Sequence, residues 1–237
     1  MARMPRLSVP HHPHHVLQRG NNGQAVFLSD ADRVAFLRLL GDAVIESRVA
    51  LHAYVLLEAE FRLLLTPPDE RALARLMQSL GRRYVRVFNQ AHGRSGTLWE
   101  GRFRSTVVEP AEVLLDCMVH MDLAPVRAGL ASEPAAWPWS SHGVYAGQRT
   151  QPILTPPAVY WSLGNTPFAR EAAYARRVSA GLSLAEQARL DRTLRSGWAL
   201  GTEDFLARLQ TQAGRRVLPG KPGRPRKLPE AKKQDQK

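Results

Sequence analysis

Apolar residues recur along the first 125 positions in two rhythms, a period of two and a period near 3.6, and the switches between them mark the elements. After a Pro- and His-rich opening, residues 15–19 read as a short strand, closed by the turn residues Gly20, Asn21, Asn22 and Gly23. Ser29 or Asp30 caps a helix whose apolar positions Val34, Leu37, Leu40, Val44 and Ile45 repeat at helical spacing. Residues 51–57 and 60–65 read as two strands, with Glu58 and Ala59, a poor turn pair by composition, between them. A second amphipathic helix spans 69–92, with Leu73, Leu76, Leu80, Tyr84, Val87 and Phe88 inward and Arg75, Arg82, Arg83 and Arg86 largely outward. Residues 102–108 read as a fourth strand, and Pro110 opens a helix running to about Leu123. The order β-α-β-β-α-β followed by a helix predicts an α+β fold of the ferredoxin-like, split βαβ kind: an antiparallel sheet with helices on one face.

Beyond Pro125 the pattern changes. Prolines at 134, 138, 152, 156, 157 and 167 interrupt any regular element, and helical patterning returns only over 169–212. There Ser183 and Glu186 form a capping-box pattern, and residues 202–210 read as a further helix. The chain thus divides into a folded domain over 1–147, a Pro-rich connector over 148–168, a helical segment over 169–214 and a basic tail over 215–237. The tail lacks the apolar residues to fold and is expected to be disordered when free.

Charge narrows the class of partner. The net charge is +12 over 237 residues, which favours polyanions, and nucleic acid ahead of small acidic molecules. From Arg215 onward nine Lys or Arg stand against two acids, so +7 of the +12 lies in the tail. Within it Arg224, Arg226 and Lys227, in PGRPRK, resemble an AT-hook core that lies extended in the minor groove. The apolar runs fall short of the roughly 20 residues of a membrane-spanning helix. A single cysteine, Cys117, excludes an internal disulfide framework and fits a reducing cytoplasm. A cytoplasmic, nucleoid-associated protein is expected.

Six blocks in one order, HHVLQRGNN, LHAYVLL, LMQSLGRRYVRVFN, GTLWEGRFRS, APVRAGL and WPWSSH, resemble the REP-associated tyrosine transposases, relatives of insertion-sequence transposases in the HUH superfamily. The resemblance implies a single-strand DNA transposase frame. In that family two histidines on the third strand and an Asn-type residue on the last helix hold Mg²⁺ or Mn²⁺. A tyrosine on that helix attacks the scissile phosphate to form a phosphotyrosine link. Carried over position by position, the metal histidines fall on Glu60 and Arg62, the nucleophile on His120 and the third ligand on Ala124. All four have changed: Arg62 repels a cation, alanine has no donor atom, and the site is expected to hold no cofactor.

Ordinary readings stand beside the functional ones. Glu60 and Arg62 form a solvated charge pair on an exposed sheet face, or Arg62 takes the place of the ion and grips a phosphate through its guanidinium fork. Asp116 and His120 share a helix face and are expected to pair. A rebuilt metal site from Glu60, His120, Asp116 and His52 is the less favoured alternative, with strand packing the better role for His52. His11, His12, His14 and His15 read as a solvated segment, Trp99 as a core aromatic ahead of a base-stacking one, and Trp137 and Trp139 as packing residues. Arg82, Arg83, Arg86, Arg102 and Arg104 are candidates for phosphate contact. The expectation is a protein that binds hairpin or single-stranded DNA without cleaving it. The alternative is an active transposase working through a rebuilt site.

Overall fold

The computed structural model describes residues 6–219, so the motif at Arg224, Arg226 and Lys227 lies outside the described residues. Four strands, β1 (His14–Arg19), β2 (Ala50–Leu56), β3 (Glu60–Thr66) and β4 (Arg104–Val107), form one sheet in the order β2-β3-β1-β4. Every neighbouring pair is antiparallel, and in the centre Leu17 of β1 faces Arg62 of β3 on one side and Arg104 of β4 on the other. This is the strand arrangement expected of a split βαβ fold.

Helices α1 (Asp30–Ser47) and α2 (Ala72–Ala91) cover one face of the sheet. The first begins at a capping box, Ser29 accepting from the Asp32 amide while Asp32 accepts from Ser29, and ends where Arg48 turns left-handed at φ 56°. Its buried stripe is Phe36, Leu39, Leu40, Ala43 and Val44; Val34 and Ile45, expected inward, are 58% and 76% exposed. Beneath α2, Val87 is only partly buried, whereas Tyr84 and Phe88 are sealed. Phe36 packs on Phe61 and Tyr84 at ring distances of 4.7 and 5.0 Å, and the Tyr84 hydroxyl is satisfied by the Val26 carbonyl at 2.6 Å. Each such fully buried aromatic contributes about 1.5–3 kcal/mol over its exposed state.

The opposite face carries α3 (Leu114–Asp122) and the short α4 (Ala124–Arg127). Short helices α5 (His142–Tyr145) and α6 (Ala158–Trp161) lead into α7 (Pro167–Ala180), α8 (Leu184–Ser196) and α9 (Glu203–Gln212). Val55 and Leu64 of the sheet, Met118 and Val119 of α3, Tyr174 of α7 and Leu190 of α8 share one buried cluster. Inside it Asp122 accepts from His142 Nδ1 at 3.0 Å and from the Tyr174 hydroxyl at 2.7 Å, tying α5 and α7 to α3.

Both sheet edges are covered by the chain itself. Along β4 the Thr106 hydroxyl donates to Thr193, the Leu200 amide to Val107, and the Glu109 carboxylate accepts from the amide and hydroxyl of Thr202 at 2.6 and 2.9 Å. Along β2, Trp139 and Leu154 pair with the strand, and the Trp137 indole donates to Leu56 at 3.0 Å, so both tryptophans 137 and 139 are packing residues as expected. Covered edges leave no template for intermolecular strand pairing. Among the described residues no helix is long and apolar enough to cross a membrane.

Candidate nucleic-acid site

Glu60 opens β3, and Arg62, two residues on, projects from the same face of the strand. Helix α3 crosses that face and brings His120 to Arg62, Nδ1 to Nη1, at 3.4 Å. The pairing of Glu60 with Arg62 is real but not solvated. Arg62 Nε and Nη2 donate to Glu60 Oε1 at 2.9 and 2.8 Å, with the two side chains 16% (Glu60) and 13% (Arg62) exposed. Arg19 approaches the other Glu60 oxygen at 3.4 Å.

Two partners escaped the sequence. Asp191 of α8 reaches over the pair, 3.7 Å from Arg62 and 3.5 Å from His120 Nε2. Arg127 of α4 donates to the His120 carbonyl at 2.6 Å. The signal for Arg127 was local, since it lies within the block that begins with Ala124 and Pro125; Asp191, 71 positions beyond His120, had none. His120 itself is 0% exposed, and its ring meets the edge of His15 at 6.5 Å. Burial first, then the cations of Arg127 and Arg62, push the His120 pKa down to about 2; burial and Arg62 push His15 down to about 3. Both are neutral imidazoles under a layer of arginine. Burial, with Arg62 adding to it, lowers Arg127 only to about 10, so it stays charged at neutral pH.

Several expectations are corrected here. Asp116 does not pair with His120; it binds Arg177 of α7 at 2.7 Å. His14 and His15 are not solvated but 0% and 2% exposed, because β1 begins one residue earlier than expected, at His14, and both faces of the sheet are covered by helices. His52 has the packing role expected: at a bulge in β2 its Nδ1 donates to Thr155 and its Nε2 accepts from Thr66. These residues do not fit a divalent ion. Glu60 is committed to two arginines, Ala124 offers a methyl group, and no group of three or more His, Cys, Asp or Glu among the described residues is placed to hold a metal.

The arginines expected to contact phosphate do not form one patch. Arg83 is held by Asp42 at 2.6 Å and Glu46 at 3.2 Å. Arg104 lies on the His120 side of the sheet and donates to the Arg195 carbonyl at 3.4 Å. Arg82 and Arg102 converge instead on an open groove of about 680 Å³ between α2 and the approach to β4. Neither they nor the exposed Arg86 form a hydrogen bond or ion pair among the described residues. Trp99 lines this groove while packing on the core, stacked on Tyr84 at 6.0 Å and edge-on to Phe61 at 5.6 Å.

No protein-family model and no curated protein matches the sequence. Among solved structures the chain is similar to a REP-associated tyrosine transposase bound to a REP hairpin, with a TM-score of 0.52 and 18% identity over 67% of this chain and 93% of that one. A candidate transposase from Deinococcus radiodurans R1 overlaps 54% of this chain and 92% of its own at 18% identity, with a TM-score of 0.35. An α+β sheet with α1 and α2 on one face and α3 on the other agrees with the first of these in architecture. The chain has the fold of the REP-associated tyrosine transposases.

Proposed function

We infer that this chain binds hairpin or single-stranded DNA without cutting it, using a transposase frame whose chemistry has been replaced by a half-buried ion-pair network. The observation that carries the reading is the state of Arg62. Its guanidinium is engaged by Glu60 at 2.8 Å and faced by Asp191 at 3.7 Å, where a cleaving site needs a bound cation. Beneath it the only group at the attacking position is an imidazole with no exposed surface. Attack on a phosphate requires a nucleophile within reach of it, and a neutral buried ring is not.

DNA binding is supported by the +12 charge and by Arg82, Arg86 and Arg102, which no acid among the described residues neutralises. On this reading residues 1–147 are the DNA-binding domain and the helices over 169–214 close the former reaction site; residues 215–217 pack on that body, with Val217 buried, and the tail beyond them adds sequence-independent affinity. The test is the salt dependence of binding to a hairpin carrying a single-stranded flank. The full chain should show a steep fall of log affinity with log salt, and removal of residues 218–237 should lower the slope by roughly 0.7–0.9 for each phosphate that the tail neutralises. Affinity that does not change with salt would remove DNA as the partner.

A further inference from the structure

We propose that the groove between α2 and β4 is a binding site for one unpaired nucleotide of a DNA strand, its base on the apolar floor and its phosphates against Arg82 and Arg102. The inference rests on the DNA-binding reading and locates it on the face of the sheet opposite His120.

Met77, Val85 and Phe103 form the floor of the groove, and the cations Arg6, Arg82 and Arg102 form its rim, with no acid among the lining residues. Arg6 lies over the Phe103 ring at 3.7 Å and donates to the Phe103 carbonyl at 3.1 Å, so the aromatic floor and the cationic rim are built as one unit. An apolar floor within a positive rim matches a planar base joined to a phosphate backbone; a duplex offers the phosphates without the free ring. The volume of about 680 Å³ lies inside the range of about 300–1,000 Å³ found for small-ligand sites.

Gly81 sits mid-helix in α2 with no positive φ, a position where glycine weakens the helix and the backbone does not require it. A Cβ there would meet only the Trp99 indole nitrogen, at 3.6 Å, which is ordinary contact. What the absent side chain leaves is the wall of the groove, and against that wall the Trp99 N–H is buried without an acceptor. Opposite, Gln18, 6% exposed, donates its amide to the Gly101 carbonyl at 3.2 Å and leaves its side-chain oxygen without a partner among the described residues. The groove therefore holds an unpaired acceptor as well as a floor and a rim, which is what reading a base edge requires.

The test uses the full chain and two hairpins equal in length, one fully paired and one with an unpaired fluorescent adenine analogue. Gly81→Met keeps a helix-favouring residue and fills the groove; Gly81→Ala adds only the tolerated Cβ. For the hairpin with the unpaired base, Gly81→Met should weaken binding about 5- to 150-fold, the range of one base stack, and Gly81→Ala, which narrows the groove by one methyl group, should weaken it less than Gly81→Met does. For the paired hairpin all three should bind alike. The analogue's emission should change on binding to the parent and not to Gly81→Met, with unchanged circular dichroism showing that both are folded. Equal affinity of parent and Gly81→Met for the unpaired base overturns the groove and leaves the DNA-binding reading standing. Absence of binding to either hairpin at low salt overturns both.

Discussion

Replacing Arg62 by alanine removes the centre of the ion-pair network and leaves Glu60 facing a cavity. Removing one partner of a buried pair costs about 3–5 kcal/mol, because the remaining charge is stranded away from water. Here the side chains are 13% and 16% exposed and Glu60 keeps Arg19 at 3.4 Å, so solvent and the second cation reduce the loss to about 2–3 kcal/mol. For a chain of this size that corresponds to a fall in Tm of roughly 4–12 °C. Urea unfolding followed by circular dichroism reads it as a lowered midpoint at constant slope. The double variant Glu60→Gln with Arg62→Met, which strands no charge, should recover most of the loss and show a coupling above about 1 kcal/mol in the four-member cycle. A loss below about 0.5 kcal/mol for Arg62→Ala would make the pair an ordinary surface contact and refute the half-buried network.

Stability should also fall in acid. Burial holds His14, His15 and His120 neutral, with pKa values down to about 4, about 3 and about 2, so the unfolded chain binds more protons as pH drops below 6.5. The stabilisation is complete above about pH 6.5 and is lost toward the folded values, at most about 2 kcal/mol for each histidine at pH 5; a flat melting profile between pH 7 and 5 would contradict it. Gly81→Ala should stabilise α2 by about 0.5–1 kcal/mol, and a loss in a urea titration would show that the Cβ is not tolerated. On the reading that Arg62 grips a phosphate, removing the charge of Asp191, 3.7 Å from it, by Asp191→Asn should tighten single-strand binding about 2- to 5-fold, the equivalent of an exposed ion pair. Unchanged affinity would take Arg62 out of the path of DNA.

Periodicity and turn signals located the strands and long helices because α2 carries one clear buried stripe and the apolar runs of β2 and β3 are bounded by polar residues. Periodicity placed Leu40 and Val44 of α1 correctly but not Val34 and Ile45, because apolar residues run around most of the circumference and only contact with α2 and the sheet selects Phe36, Leu39 and Ala43 over them. The adjacency of Glu60, Arg62 and His120 followed from the order of elements together with the family-like blocks. The burial of His14 and His15 did not, since two histidines at a strand start look the same whether helices cover that face or not. Asp191 was illegible for a related reason: its role depends on how α8 docks across β4, a contact between segments far apart in sequence.

The central claim, binding without strand cleavage, is tested most directly by incubating the full chain with an end-labelled hairpin carrying single-stranded flanks, in Mg²⁺ or Mn²⁺. The mixture is then run on native and denaturing gels in parallel. The account predicts a salt-sensitive retarded complex on the native gel, with only full-length, protein-free strand on the denaturing gel. A shortened strand, or a covalent protein–DNA species that disappears with His120→Ala, would contradict it.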